Sequence, residues 1–186
     1  RFEKLWGAKL DPKPGLTVVE IMNAAAKGEI RGMYIMGENP AMSDPDGHHA
    51  REALAKLDHL VVQEIFLTET CYHADVILPA TTWPEKLGTV TNTDRMVQLG
   101  RPAVTPPGDA KPDLWIIQEL ARRLGLDWNY DSARDVFNEM RKSMNSIAGI
   151  TWERLEAESS VTYPCEKEGD PGQPVGFVDK FPTADR

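Results

Sequence analysis

Only two cysteines, Cys71 and Cys165, occur among the 186 residues. Two thiols cannot make a disulfide framework or hold a four-iron cluster. No uninterrupted apolar run approaches the roughly 20 residues needed to cross a bilayer. Cationic excess is missing as well: 21 Lys+Arg face 29 Asp+Glu, for a formal net charge of −8. Binding to phosphate backbones relies on clustered Lys and Arg, so nucleic acid is not an expected partner. The opening, RFEKLWGAKLDPKPG, has no initiator Met and lacks the charged-then-apolar order of a signal peptide. With KFPTADR at the other end and no helix stop there, the chain reads as an internal piece of something longer. No dinucleotide-fingerprint glycine motif, Walker loop, nucleophile elbow or zinc-type Cys and His spacing is present.

What remains is ordinary globular composition, 41% hydrophobic and 27% charged, in a length suited to one compact domain with a small appendage. Residues 1–16 hold Pro12, Pro14 and Gly15 and read as an extended lead-in. From Thr17, a potential N-cap, Val18, Ile21, Met22 and Ala25 recur at helical spacing up to Gly28, a C-cap type. Met33–Met36 reads as a buried strand, His49 to Leu57 as a second amphipathic helix, His59–Phe66 as a second strand and Val76–Leu78 as a third. This alternation predicts an α/β fold: a Rossmann-like parallel sheet with helices on both faces, with an irregular C-terminal extension. The expected division is a lead-in over 1–16, an α/β domain over 17–160 and a linker or edge segment over 161–186. Residues 80–112 show little helical pattern and read as a long irregular stretch. A helix follows, with Asp113 at its N-cap and Trp115, Ile116, Leu120 and Leu124 as its buried stripe. Further helices are expected over 132–143 and 151–158.

In such sheets ligands lie beyond the carboxyl ends of the strands, where the loops after Met36, Phe66 and Leu78 converge. Gly37, Glu38, Asn39 and Ser43 form the first of these loops: the glycine permits a tight turn, and the side chains offer donors and acceptors. The same loop also reads simply as a βα turn with a helix cap. Gln63 is an odd choice among Val61, Val62 and Ile65, because a buried amide needs partners. Either a ligand or a neighbouring loop could supply them, and Thr68 flanks the same strand end. Asp113 suits helix capping, yet a carboxylate can also accept paired N–H bonds from the Watson–Crick edge of guanine. Cys71, His73, Asp75, His48, His49 and His59 are metal-binding types without ligand spacing, so no metal site is expected there.

The strings IRGMYIMGENPAMSDPD and LVVQEIFLTETCYHADVILPATTWPEKLGTVTNTDRMVQLGRPAVTPPGDAKPDLWIIQELARRLG closely resemble the molybdopterin-dependent oxidoreductases. Within that superfamily the likeness is to the catalytic alpha subunit of formate dehydrogenase, with ITWERLEAESSVTYPC and KFPTADR similar to formate dehydrogenases in particular. The resemblance implies a large enzyme that interconverts formate and carbon dioxide. Such an enzyme holds molybdenum or tungsten between two molybdopterin guanine dinucleotides and uses a 4Fe-4S cluster bound elsewhere. The family's Gly-Glu-Asp/Asn-Pro loop falls on Gly37, Glu38, Asn39 and Pro40, with a hydroxyl at Ser43. Its strand-end Gln or Asp falls on Gln63, its Thr-Glu/Lys-Thr turn on Thr68 to Thr70, and its carboxylate before the long helix on Asp113, which is thereby the expected guanine reader. Some relatives carry Asp where this chain has Asn39. Gly88, Thr89 and Asn92 to Gln98 also match and are expected to order the long loop.

The metal-ligating selenocysteine or cysteine and the cluster cysteines lie in regions not represented, so this chain is expected to be inactive alone. Its role would be about half of one dinucleotide pocket, with no cofactor held in isolation. Partners implied are the remaining domains of the catalytic subunit and electron-transfer subunits, in a cytoplasmic enzyme. Two alternatives stay open: a non-catalytic scaffold of the same superfamily, as in respiratory complex I, and a nitrate reductase-type enzyme.

Overall fold

A computed structural model describes residues 1–178, 180, 181, 183 and 184. The reading of KFPTADR therefore lies partly outside the described residues. In chain order the helices are α1 (Phe2–Trp6), α2 (Val18–Ala26), α3 (Pro40–Ser43), α4 (Gly47–Ala55), α5 (Asp113–Arg123), α6 (Ala133–Ser143) and α7 (Trp152–Glu158). The strands are β1 (Gly32–Met36), β2 (His59–Glu64), β3 (Val76–Pro79), β4 (Gly88–Thr91), β5 (Met96–Gly100) and β6 (Ser160–Thr162). A short 3-10 helix, Glu69–His73, precedes β3. The chain divides into two compact units. One comprises Leu10–Thr82 and Thr105–Leu126; the other comprises Arg1–Lys9, Trp83–Val104 and the chain from Asp127 onward. The boundaries read at 16/17 and 160/161 do not coincide with this division.

The first unit is α/β, with a parallel three-stranded sheet in the order β1-β2-β3. Register pairs Ile35 with Val62 and Met36 with Gln63. One sheet face, through Ile35, Leu60 and Val62, packs on Met22 and Ala25 of α2 and on Ala50, Ala53 and Leu54 of α4. Strand alternation sends Tyr34, Val61 and Gln63 to the opposite face. There α5 meets the sheet through a hydrogen bond from Gln63 to Asp113.

Helix α2 starts as its sequence dictates. Thr17 accepts from the Glu20 backbone while the Glu20 carboxylate accepts from Thr17, a complete capping box. Val18 does not join the buried stripe; it is 62% exposed, and the helix buries Met22, Ala24 and Ala25 instead. Two expectations for α5 are also corrected. Its N-cap is Pro112, whose ψ of 143° is not helical, so Asp113 is the first helical residue rather than the cap. Its inward face is Ile116, Gln118 and Ala121, while Trp115 lies under the Lys111 ammonium and Leu124 is 78% exposed.

The second unit contains an antiparallel sheet in the order β4-β5-β6. The stretch expected to be irregular thus holds a hairpin. Thr89 pairs with Leu99 and Thr91 with Val97, and the Asn92 side chain accepts from the Met96 backbone across the turn. The lead-in expected to be extended begins with α1. Val97, Leu99, Phe137, Trp152, Leu155 and Val161 form this unit's core, with Phe137 and Trp152 edge to face at 6.0 Å.

Candidate functional site

The carboxyl ends of β1 and β2 are bound together by main chain. Gly37, the residue after β1, donates its N–H to the Gln63 carbonyl at 2.9 Å. Gly37 takes φ +65°, which glycine adopts without a Cβ penalty, and a Cβ there would meet nothing within 4 Å. Gly37 and Glu38 are exposed, so the turn presents main chain and one carboxylate to its surroundings.

The rest of the loop is fastened to the 3-10 helix by Asn39. Its Oδ1 accepts from the Thr70 backbone at 3.1 Å and from the Thr70 hydroxyl at 2.8 Å, and its Nδ2 donates to Glu69 at 2.6 Å. Thr70 is wholly buried, and its Oγ1 in turn accepts from the Ala41 backbone at 3.1 Å. The Asn39 hydrogen bond is the largest influence holding the Glu69 carboxyl below its ordinary value, with Arg51 adding a smaller pull. Ser43 turns inward to its own loop, donating its hydroxyl to the Asn39 carbonyl at 3.0 Å. The Thr68 hydroxyl lies 3.4 Å from the sulfur of Cys71. Asn39, Ser43 and Thr68 therefore shape the loops.

Gln63 is 1% exposed and both ends of its amide are engaged. Nε2 donates to Asp113 Oδ1 at 2.5 Å, and Oε1 accepts from the Tyr34 hydroxyl. Asp113 sits in the first turn of an 11-residue helix, where the N-terminal end of the dipole favours a negative charge. Burial raises the Tyr34 phenol above its ordinary value, and the Asp113 charge adds to the rise. Gly37, Gln63 and Asp113, from three separate stretches, are thus joined into one chain of contacts. Asn39, Glu69 and Thr70 form a second set that fastens the loop, and Tyr34 belongs to the first network through Gln63. Gln63 was the sequence signal for it, as the polar residue out of place in an apolar strand.

A separate cavity of about 430 Å3 opens between the end of β3 and α5, lined by Leu78, Pro79, Lys111, Trp115 and Ile116 among others. Lys111 ties this part together, as its carbonyl accepts from the Thr81 backbone and its N–H donates to the Pro79 carbonyl. Among the described residues no helix is long and apolar enough to cross a membrane.

Residues 4–123 match the family model described as molybdopterin oxidoreductase. An F420-dependent formate dehydrogenase subunit alpha of Methanocaldococcus jannaschii is 49% identical over 98% of this chain. A second such subunit, from Methanococcus maripaludis, is 41% identical over the whole of it. A putative formate dehydrogenase of Bacillus subtilis is 45% identical over 88%. The chain spans 27% of each archaeal relative and 17% of the bacterial one. Among solved structures, acetylene hydratase from Pelobacter acetylenicus shares the fold with a TM-score of 0.64 at 22% identity. That match covers 78% of this chain and 20% of the hydratase.

Proposed function

The chain belongs to the molybdopterin oxidoreductase family, and on that premise we propose that it forms about half of a molybdopterin guanine dinucleotide pocket in a formate dehydrogenase catalytic subunit. The observation that carries this reading is the Gln63–Asp113 contact. It sets a carboxylate at a helix N-terminus beside the carboxyl ends of parallel strands, where α/β sheets bind ligands. Guanine presents a ring N–H and an amino group side by side, and a carboxylate matches that pair with two charge-assisted hydrogen bonds. The exposed Gly37–Glu38 turn, with open space where a Cβ would stand, suits close approach of the remainder of the dinucleotide.

When bound, molybdenum or tungsten held by the pterin supplies the two-electron chemistry that takes formate to carbon dioxide. This chain recognises and orients the nucleotide end. The second dinucleotide, the metal's protein ligand and the 4Fe-4S cluster belong to the rest of the catalytic subunit, and electron-transfer subunits receive the electrons. The formate assignment is supported by the relatives' names across nearly the whole of this chain. The cytoplasmic location rests on the resemblance alone.

The test is made on the full-length protein. Purified protein should release guanosine monophosphate on acid hydrolysis, contain molybdenum or tungsten, and oxidise formate. Asp113→Asn keeps an oxygen for Gln63 but turns a donor toward guanine. Charged hydrogen bonds contribute about 1.5–3 kcal/mol each, so retention of guanine nucleotide should fall at least about tenfold. Unchanged retention in Asp113→Asn would refute the guanine reading. Absence of both metals would favour the scaffold alternative.

A further inference from the structure

We propose that Tyr34 is a positioning residue for guanine recognition, acting through Gln63 to fix the carboxylate of Asp113. The inference rests on the reading of Asp113 given above. Its basis is the direction of the hydrogen bonds. An ionised carboxylate only accepts, so the Gln63 NH2 must face Asp113, at 2.5 Å. The amide oxygen is thereby turned the other way, and since it also only accepts, the Tyr34 hydroxyl must donate to it. The three groups form one polarised sequence: phenol O–H to amide carbonyl, amide N–H to carboxylate.

Each member constrains the next. Gln63 is 1% exposed, so water does not readily replace a lost partner. Rotating the amide by half a turn would set its oxygen against the Asp113 carboxylate. Donation by the phenol polarises the amide and strengthens its own N–H as a donor, as in any hydrogen-bonded chain away from water. Without the hydroxyl, the amide has an unsatisfied oxygen and less hold on Asp113. The geometry spans three elements: Tyr34 on β1, Gln63 on the neighbouring β2, and Asp113 in the first turn of α5. Tyr34 itself is 41% exposed, so its role is not that of core filling.

The experiment uses apo full-length enzyme reconstituted with the guanine or the cytosine dinucleotide of the same pterin. Cytosine does not present the paired donors that a carboxylate reads. Tyr34→Phe removes only the hydroxyl and should lower the guanine-to-cytosine retention ratio about fivefold, the effect of one net hydrogen bond. Gln63→Met should lower the ratio at least as far, and Tyr34→Phe should add nothing in the Gln63→Met background. An unchanged ratio in Tyr34→Phe, or an equal drop with and without Gln63, overturns the proposal. A merely structural role would lower the melting temperature and leave the ratio intact. If Asp113→Asn also leaves the ratio unchanged, the guanine reading has failed; if only Tyr34→Phe does, the positioning role alone has failed. Should Tyr34→Phe yield no folded protein, Gln63→Met decides: retention of the wild-type ratio in that variant overturns the proposal.

Discussion

Asn39 Oδ1 accepts two hydrogen bonds from Thr70, one from its backbone at 3.1 Å and one from its hydroxyl at 2.8 Å. The loop after β1 is therefore fixed to the 3-10 helix after β2 by the Asn39 amide, with the Ala41 N–H donating to the same Thr70 hydroxyl. Thr70→Val removes the hydroxyl and leaves the Ala41 N–H without its acceptor in a buried position. A buried group stripped of its partner costs about 1–3 kcal/mol, and denaturant titration should show a loss of that size. Thr70→Ser, which keeps the oxygen, should recover most of it.

Gly37→Ala isolates the backbone. Its φ is +65° and no atom lies within 4 Å of the missing Cβ, so there is no clash to relieve. The expected destabilisation is about 1–2 kcal/mol, from the left-handed conformation alone. Gly37→Asn should lose less, because asparagine tolerates that region better. A loss well above this in the alanine variant would reveal packing at the turn.

Acid should loosen the same loop. The Glu69 carboxyl is held below its ordinary value of 4.5, first by the Asn39 side chain. A depressed carboxyl adds stability above the unfolded-state pKa and loses it as the pH falls through the lower, folded-state value. Midpoints of the wild type and Glu69→Gln, compared at about pH 6 and about pH 3, should differ at the higher pH and draw closer at the lower. A gap of unchanged size in acid would mean that charge is not what Glu69 contributes.

Both thiols should resist alkylation in the native state. Cys71 is 3% exposed and Cys165 is fully buried, and burial is the main cause raising the Cys165 thiol above its ordinary value. Mass-spectrometric mapping should find modification at these two positions only after denaturant is added. Rapid labelling of either under native conditions would contradict the packing described.

Much of the first unit was readable. The apolar runs at Met33–Met36 and from His59 announced strands, Thr17 and Glu20 announced a capped helix, and the alternation gave the parallel sheet. The second unit was not, because β4 and β5 are short and the strand beside β5 comes from Ser160–Thr162, some sixty positions later. In the candidate site Gln63 was conspicuous by polarity and Asp113 by its place before a helix. That the two meet at the strand ends was expected from the family likeness. The direct hydrogen bond between them and the part of Tyr34 were not legible, since the Met36–Gln63 register and the diagonal reach of Tyr34 follow from strand pairing rather than from spacing along the chain. The same limit hid the contact of Thr70 with Asn39, of which its neighbours in sequence say nothing. Placing Asp113 at the N-cap overlooked that Pro112 can occupy that position itself.

The unit that holds the parallel sheet is interrupted: it leaves at Thr82 and resumes only at Thr105. During synthesis, then, Gln63 emerges well before the aspartate that it binds, and its amide must wait for the return of α5. A polypeptide truncated near residue 82 would retain all three parallel strands yet lack the helix that answers them. Any attempt to transplant the proposed half-pocket has to carry the chain through residue 126.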